Sequence, residues 1–357
     1  MAKESYVAYV GTYTRSSSLG IHIFDIDTDN WSMKERKVVP INNPSDLIVS
    51  ANGKYLYSIA DEGVRSFKIL PDGDLKPMNA AWIGGMRGCY LEVDDLNRYL
   101  FVAGYHDGRV TMMHLNEDGT IGKLACGIFH EGVGGSVAER NSIAHVTCVK
   151  VTIDQKYLCA VDSGIDQVKV YEIDYEKGNL KLCDILRGHL DNGPRMIRFR
   201  KELNCAYVLC ERKNCVYVYH YDKNDCMKER MELIQEVPTV EAAEVERCAS
   251  SGIEFSPDGK HLFVSNAGVN SVTVYSVDQE TGLLTEICQN STRQDYPKTL
   301  AVMPDNEHFV VLNHSSNQIC SFKMNYDKNY FLMDSKPIDI HRPNCIFIHK
   351  LGDTSAS

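Results

Sequence analysis

The stretch PDGKHLFVSNAGVNSVTVYSVDQETGLL, residues 257–284, decides the fold because it is one copy of a repeating unit. It begins with the polar turn PDG, continues through the apolar run HLFVS, turns at AGVN, and ends in SVTVYSV, where residues alternate in polarity. Short runs rich in β-branched and aromatic residues, bounded by Gly, Asn, Asp and Ser, are typical of β-strands. The unit therefore predicts consecutive strands joined by tight turns.

Six other segments of the chain follow the same order of turns and apolar runs. The equivalent position, near the start of the second strand, is occupied by Val7, Tyr55, Tyr99, Tyr157, Cys205, His261 and His308. The differences between successive numbers are 48, 44, 58, 48, 56 and 47, and the larger ones mark insertions at 130–143 and 238–248. A repeat of roughly 40 to 50 residues with about four strands indicates a β-propeller blade.

The predicted fold is therefore all-β: a single domain, residues 1–357, forming a seven-bladed β-propeller with four-stranded antiparallel blades. The first unit lacks an opening strand of its own, whereas RPNCIFIHK at 342–350 is a spare strand. We expect this C-terminal strand to become the innermost strand of blade 1, which closes the ring and removes an exposed sheet edge. A two-sheet sandwich would not require so regular a repeat.

Composition narrows the possible partners and location. The 357 residues are 43% hydrophobic and carry a formal net charge of −10, without the long basic run that a nucleic-acid partner would require. The N-terminus MAKESYVAYV has Glu4 before any apolar run, which is a poor signal peptide. No apolar stretch approaches the roughly 18 residues of a membrane-spanning helix. We expect a cytoplasmic protein that binds neither nucleic acid nor membrane.

The 13 cysteines do not form a metal-binding pattern. Cys205, Cys210 and Cys215 are spaced five apart, without the tight two-residue spacing that zinc ligands usually have. Small, reduced, apolar thiols are the simpler interpretation for a cytosolic protein. We therefore expect neither a metal nor a cofactor.

The segment GPRMIRFRKELNCAYVLCERKNCVYVY, residues 193–219, places opposite charges at the two outer ends of a hairpin. If the turn is centred between Glu202 and Leu203, Arg195 lies opposite Cys210, and Glu211 is diagonal to Arg195. Both ends of the hairpin would project onto one mouth of the central channel. The sequence therefore predicts a contact between Arg195 and Glu211 at that mouth.

The same rule, applied to every blade, predicts which residues surround this mouth. They are Arg87, His145, Arg195 and Lys298 at the starts of innermost strands, and Asp61, His106, Asp162, Glu211, Asn266 and His314 at the ends of second strands, with Glu139 and Arg140 added by an insertion. A funnel of cations, imidazoles and a few carboxylates suits a small anionic ligand. Because the channel ends of any propeller are wet, polar residues there also fit a channel without a ligand.

Several of these segments carry a resemblance to a known family. YVAYVGTYT, NPSDLIVSANGKYLYSIADE, GPR with CE, FSPDGKHLFVSN and RPNCIFI resemble the seven-bladed lactonase family, over nearly the whole chain and in the same blade order. That family includes the propeller-type 6-phosphogluconolactonases and the fungal 3-carboxymuconate lactonising enzymes. The resemblance implies a propeller fold and an active site on its axis.

The resemblance also implies site residues. The family site has a His at the start of blade 4, an Arg in the GPR of blade 5, a Glu closing the next strand, and an Arg in blade 6. Arg195 and Glu211 match the second and third of these, whereas Ala267 stands in place of the blade 6 Arg. For the His, counting along the strand gives Thr147, and His145 lies two residues earlier. In blade 7, Lys298 follows a proline where the family usually has an Arg.

Lactone hydrolysis requires a general base for water and a cation or donor for the oxyanion. The prediction is that His145 is the base, because histidines ordinarily titrate near neutral pH. Arg195 would hold the oxyanion or the substrate anion, and Glu211 would orient Arg195. The predicted substrate-binding residues are Arg140, Lys298, His314, His106, Asn266 and Arg87. The substrate would be a small anionic sugar lactone, 6-phosphogluconolactone being the best candidate. A lactone-forming cycloisomerase, or a non-hydrolytic propeller that binds a small anion or a protein, remains the alternative.

Overall fold

The structure, a computed structural model, describes residues 4–15, 17–132, 143–221 and 231–352. Within these ranges the strands form seven antiparallel sheets, and the helical segments are two short 3₁₀ turns, Lys201–Leu203 and Ala242–Arg247. The prediction of an all-β, seven-bladed propeller with four-stranded blades is confirmed. In the described part of the chain, neither helical turn is long and apolar enough to cross a membrane.

The strands are numbered along the chain and grouped here by blade, from axis to rim. Blade 1 contains β29 (Pro343–Lys350), β1 (Tyr6–Thr12), β2 (Gly20–Asp27) and β3 (Ser32–Pro40). Blade 2 contains β4 (Leu47–Val49), β5 (Tyr55–Ala60), β6 (Gly63–Ile69) and β7 (Leu75–Ala81). Blade 3 contains β8 (Tyr90–Val93), β9 (Tyr99–Gly104), β10 (Arg109–Leu115) and β11 (Ile121–Phe129). Blade 4 contains β12 (Val146–Val151), β13 (Tyr157–Asp162), β14 (Gln167–Asp174) and β15 (Asn179–Arg187).

The remaining blades follow the same order. Blade 5 contains β16 (Pro194–Arg200), β17 (Cys205–Cys210), β18 (Cys215–Tyr221) and β19 (Met231–Pro238). Blade 6 contains β20 (Ala249–Phe255), β21 (His261–Ala267), β22 (Ser271–Val277) and β23 (Leu284–Ser291). Blade 7 contains β24 (Pro297–Val302), β25 (His308–Asn313), β26 (Gln318–Asn325) and β27 (Tyr330–Met333), and the short β28 (Ile338–Asp339) also pairs with β26.

The C-terminal strand closes the ring. β29 pairs antiparallel with β1, from Tyr6 opposite Lys350 to Gly11 opposite Cys345, so blade 1 is built from both ends of the chain. The predicted closure is therefore confirmed. It covers the inner edge of β1, which would otherwise present unpaired backbone groups to the channel.

The hydrophobic core lies between neighbouring blades. The second strands β9, β17 and β25 are buried along their whole length, because both faces of each sheet pack against an adjacent blade. One cluster, for example, joins Tyr9 and Ile21 of blade 1 to Leu47 and Leu56 of blade 2. The outermost strands are largely exposed, as in β3. Burial on both faces explains why these runs are continuously apolar in the sequence.

The innermost strand of blade 5 has a β-bulge at Arg195. Pro194 pairs with Cys210 and Met196 pairs with Leu209, so Arg195 has no partner on β17. The sequence prediction that Arg195 lies opposite Cys210 is therefore wrong by one position. A bulge inserts one unpaired residue and bends the strand, which re-aims that side chain.

Candidate active site

The bulge recurs in five blades that follow one another around the ring. The unpaired residues are Thr147, Arg195, Ser251, Lys298 and Asn344. All of them line one cavity of about 1080 Å³ that extends along the channel. We refer to these five residues as the bulge ring. Bulges are over-represented next to active sites because they direct a side chain away from the sheet.

Arg195 and Glu211 form an ion pair in this cavity, as the hairpin predicted. Nη1 of Arg195 donates to Oε2 of Glu211, and Nε donates to the backbone carbonyl of Ser251 at 2.9 Å. Burial works against the guanidinium charge, but the Glu211 carboxylate outweighs it and raises the pKa of Arg195. Nη2 of Arg195 has no hydrogen-bond partner among the described residues. Arg195 is therefore a fixed cation with one donor group left for a ligand.

Lys298 lies in the same cavity, on blade 7. Its Nζ is 5.9 Å from the centre of the Tyr296 ring, and in the part of the chain that the structure describes it forms no salt bridge. Burial, followed by the positive charge of Arg195, lowers the pKa of Lys298 to about 7. Near neutral pH this side chain is therefore present both as an ammonium and as a free amine.

A second set of charges lies deeper in the channel, but these side chains pair with one another. Lys150 contacts Glu92 at 2.8 Å, and Arg198 contacts Glu254 at 3.3 Å and the Tyr90 hydroxyl at 3.0 Å. Two cations thus face two carboxylates. These four charges balance formally, whereas at the mouth Arg195 and Lys298 are accompanied by the carboxylate of Glu211.

His145 and Thr147 lie at different depths. Thr147 belongs to the bulge ring, and its hydroxyl donates to the carbonyl of Arg195 at 2.7 Å. His145 precedes β12, at the rim, where its ring stacks on Tyr105 with centroids 4.3 Å apart. Its Nδ1 donates to the Tyr105 carbonyl at 2.7 Å, and its backbone N–H is held by Asp162. Tyr105 lines the cavity, whereas His145 is not among the lining residues and lies behind Tyr105.

Three more of the predicted residues lie around the same mouth. Arg87 and His106 line the cavity. His314 is next to it: its ring is 5.6 Å from Tyr13 and 6.1 Å from Tyr296. Burial, with further contributions from nearby cations including Lys298, lowers the pKa of His314.

Two predicted mouth residues have side chains that are directed into their blades instead. Asn266 is fully buried, and its Nδ2 donates to the Thr239 carbonyl and the Thr273 hydroxyl. Asp162 is fully buried against His130. Because neighbouring residues of a strand point to opposite faces, a one-residue error in choosing the strand end reverses the direction of the side chain. Arg140 and Glu139 lie outside the described residues.

The cavity is also lined by two aromatic residues that were not predicted from the sequence, Tyr105 and Tyr296. Burial raises the pKa of Tyr105, and the Glu211 carboxylate adds to this effect. Tyr105 follows β9 directly, as Glu211 follows β17, so the strand-end rule would have found it one residue before His106. Tyr296 stands two residues before the bulge at Lys298, as His145 stands two residues before Thr147.

The cysteines do not assemble a metal centre in the described ranges. No group of three or more His, Cys, Asp or Glu side chains there could hold a metal ion. Cys210 and Cys215 face each other across β17 and β18, and Cys205 is at the other end of β17. All three are buried and free of disulfides.

Comparisons with known proteins agree with this fold. A family model described as "Lactonase, 7-bladed beta-propeller" matches residues 7–348. The chain belongs to this lactonase family. The predicted class, a lactone-hydrolysing enzyme, is confirmed by this membership.

Individual relatives span nearly the whole chain. The 6-phosphogluconolactonase of Bacillus subtilis is 29% identical over 353 residues, which cover 97% of this chain and 99% of that protein. The 6-phosphogluconolactonase of Formosa agariphila is 27% identical, with coverages of 88% and 91%. The solved structure of a periplasmic gluconolactonase from Pseudomonas aeruginosa has a TM-score of 0.90 at 24% identity, covering 98% of this chain and all of that one. This last likeness concerns the fold.

Proposed function

We propose that this lactonase hydrolyses a sugar lactone at the channel mouth, and that 6-phosphogluconolactone is its substrate. The observation that carries the proposal is Arg195, which a bulge directs into the cavity and which Glu211 and the Ser251 carbonyl hold in place. The named relatives in Bacillus subtilis and Formosa agariphila support the choice of substrate. Carbohydrate metabolism in the cytoplasm, without a metal or cofactor, remains the corresponding prediction.

Arg195 is suited to binding the lactone carbonyl. Its Nη2 group is free for a ligand, while its other two nitrogens have protein partners. A preorganised donor stabilises the oxyanion of the tetrahedral intermediate without reorganising during the reaction. Glu211 keeps Arg195 charged and fixes its plane, so Glu211 is a positioning residue.

His145 is the proposed base. Its Nδ1 carries the proton that it donates to the Tyr105 carbonyl, because a carbonyl oxygen can only accept. In the neutral ring the lone pair therefore lies on Nε2, which is the atom that can accept a proton from water. Stacking on Tyr105 and the backbone hydrogen bond to Asp162 fix the ring at the rim.

The proposed reaction proceeds in two steps. Nε2 of His145 takes a proton from water while the water oxygen bonds to the lactone carbonyl carbon, and the carbonyl oxygen becomes an oxyanion held by Arg195. The oxyanion then collapses, the bond between the carbonyl carbon and the ring oxygen breaks, and the ring oxygen takes the proton from His145. The product is the open-chain hydroxy acid, which releases a proton to the buffer at neutral pH.

That released proton allows a direct assay. The purified protein is mixed with 6-phosphogluconolactone and, separately, with unphosphorylated gluconolactone in weak buffer containing a pH indicator, and the spontaneous rate is subtracted. We expect acidification well above the spontaneous rate. A lack of acceleration with every lactone in a wider panel would contradict the proposal.

A non-hydrolytic binding protein is the second candidate, and Ala267 favours it. This residue is buried at the end of β21, where the family has an arginine. If the protein only binds its ligand, the pH-indicator assay would show no acidification above the spontaneous rate, while the sugar acid would still bind. Calorimetry with gluconate and 6-phosphogluconate, performed next to the assay, distinguishes the two candidates.

A further inference from the structure

A second, smaller cavity adjoins the reaction centre at the mouth. It has a volume of about 380 Å³ and is lined by Tyr13, Arg15, Asp61, Arg87, His106 and Arg342. Tyr13, Arg87 and His106 also line the axial cavity that contains Arg195 and Lys298, so the two cavities adjoin each other. We refer to the smaller one as the arginine pocket. The proposed mechanism makes no use of Arg15 or Arg342.

The arginine pocket is positively charged on a protein that is negative overall. It combines three arginines with a single carboxylate, Asp61, whereas the whole chain has a formal net charge of −10. Asp61 contacts Arg87 at 3.3 Å. Arg15 and Arg342 form no ion pair with any described residue. At least two guanidinium groups are therefore available to an anion.

One arginine of the pocket is held in position before any ligand arrives. Arg87 contacts Asp61 through Nη1 and lies over the Tyr13 ring, 5.1 Å from its centre. Asp61 is fixed in turn by Asn43, whose Nδ2 donates to both carboxylate oxygens at 2.9 Å. Orienting the side chain in advance reduces the entropy that a bound ligand would cost.

The backbone at Arg342 is also unusual. Arg342 has a φ of 44°, in the left-handed region, and it occupies the position just before the innermost strand of blade 1. Gly193 and Tyr296 precede the innermost strands of blades 5 and 7 in the same way, with φ of 58° and 59°, and of these residues glycine adopts such values without strain. An arginine is less favourable there, and this conformation directs its side chain to the mouth. Residues in strained conformations concentrate at functional sites.

We infer that the arginine pocket is a subsite for the phosphate dianion of a phosphorylated sugar lactone. Guanidinium groups present paired N–H donors that match phosphate oxygens, and two unpaired arginines balance a charge of about −2. The paired charges deeper in the channel, Glu92 with Lys150 and Arg198 with Glu254, offer no comparable excess. The lactone ring would then lie between this pocket and Arg195.

This inference rests on the proposed function, but it can be tested by binding alone. The probes are 6-phosphogluconate and gluconate, which differ only in the phosphate, titrated by calorimetry into the full-length wild type and an Arg15→Gln/Arg342→Gln double variant. Both arginines are exposed, so folding should be unaffected. The matched control is Lys177→Gln/Lys328→Gln, which removes two exposed cations from turns at the opposite end of the propeller.

We expect the wild type and the control to bind 6-phosphogluconate more tightly than gluconate. In the double variant this ratio of affinities should fall by about tenfold or more, because charge-assisted hydrogen bonds to the phosphate are lost. In the assay, the ratio of kcat/KM for phosphorylated over unphosphorylated lactone should fall by a similar factor. Equal affinity of the wild type for both acids, or an unchanged preference in the double variant, would overturn the subsite. Absence of any lactone hydrolysis would contradict the proposed function. The calorimetric comparison of the two sugar acids would still decide whether the arginine pocket binds phosphate.

Discussion

The hydroxyl of Thr147 donates a 2.7 Å hydrogen bond to the backbone carbonyl of Arg195, and the two residues occupy equivalent bulges of neighbouring blades. Thr147 therefore braces the strand that carries the proposed oxyanion donor. His145, two residues earlier, lies at the rim against Tyr105. The roles proposed for the two candidate positions of blade 4 therefore differ: Thr147 braces the neighbouring strand, and His145 is the proposed base.

Replacing His145 by Gln should lower kcat for lactone hydrolysis by about a hundredfold or more, the usual scale for loss of a general base. Thr147→Val should lower it by less than about tenfold, because it removes one neutral hydrogen bond worth about 1 kcal/mol. Stopped-flow rates with 6-phosphogluconolactone across the pH range measure both effects. Full activity of the His145 variant would remove the proposed base.

Arg195→Lys should lower kcat/KM by at least about a hundredfold. One ammonium cannot serve the Ser251 carbonyl, the Glu211 carboxylate and a substrate oxygen in the planar arrangement that the guanidinium provides. The matched control is Arg212→Lys. Like Arg195, Arg212 donates to carboxylates and a backbone carbonyl, here Asp166 at 2.7 Å, Asp191 at 2.6 Å and the Ser163 carbonyl at 3.0 Å, but it lies outside the cavity lining.

The control should stay within a few-fold of the wild type. If Arg195→Lys and Arg212→Lys had equal and small effects, Arg195 would be a structural ion-pair partner like Arg212. A fall in kcat without a change in substrate affinity would indicate that the missing contact is made chiefly in the transition state.

The repeat allowed the blades to be predicted because each central strand is buried on both faces and so is continuously apolar. The Arg195–Glu211 contact also followed from the sequence, because the hairpin brings strand ends together. The bulge did not follow from the sequence, because Arg195 is itself the extra residue and no glycine occupies that position. Asp162 and Asn266 were placed at the mouth for a different reason: each stands one residue before the position that corresponds to Glu211, so alternation directs it into its blade.

Deleting residues 343–357 should destabilise the whole ring. The deletion removes β29, with Cys345 and Phe347, and so exposes the inner edge of β1 and the apolar residues of their cluster, Tyr9 and Leu47 among them. Thermal unfolding followed by circular dichroism should show one transition at a much lower Tm, or an insoluble chain. A soluble truncated protein with unchanged Tm would contradict closure by β29.

Lys298 should make the stability of the protein depend on pH. Its pKa is about 7 in the folded state, against the ordinary lysine value of 10.5, because burial and the charge of Arg195 disfavour the ammonium. Between these two values the unfolded chain binds the extra proton, so folding becomes more favourable as the pH rises through this window. The cost of Lys298 to the free energy of folding is therefore complete below pH 7 and decreases towards pH 10.5.

Lys298→Met keeps the length of the side chain and removes the charge. It should therefore stabilise the protein most at pH 6 and clearly less at pH 9. Because water enters the cavity, we expect a gain of only about 1–2 kcal/mol at pH 6, a fraction of what the full pKa shift would give. Urea unfolding at both pH values measures the gain, with Lys177→Met, at a side chain that is 83% exposed, as the control. An equal gain at pH 6 and pH 9 would show that the pKa of Lys298 is not depressed, and Lys298 would then add a full positive charge to the mouth beside Arg195.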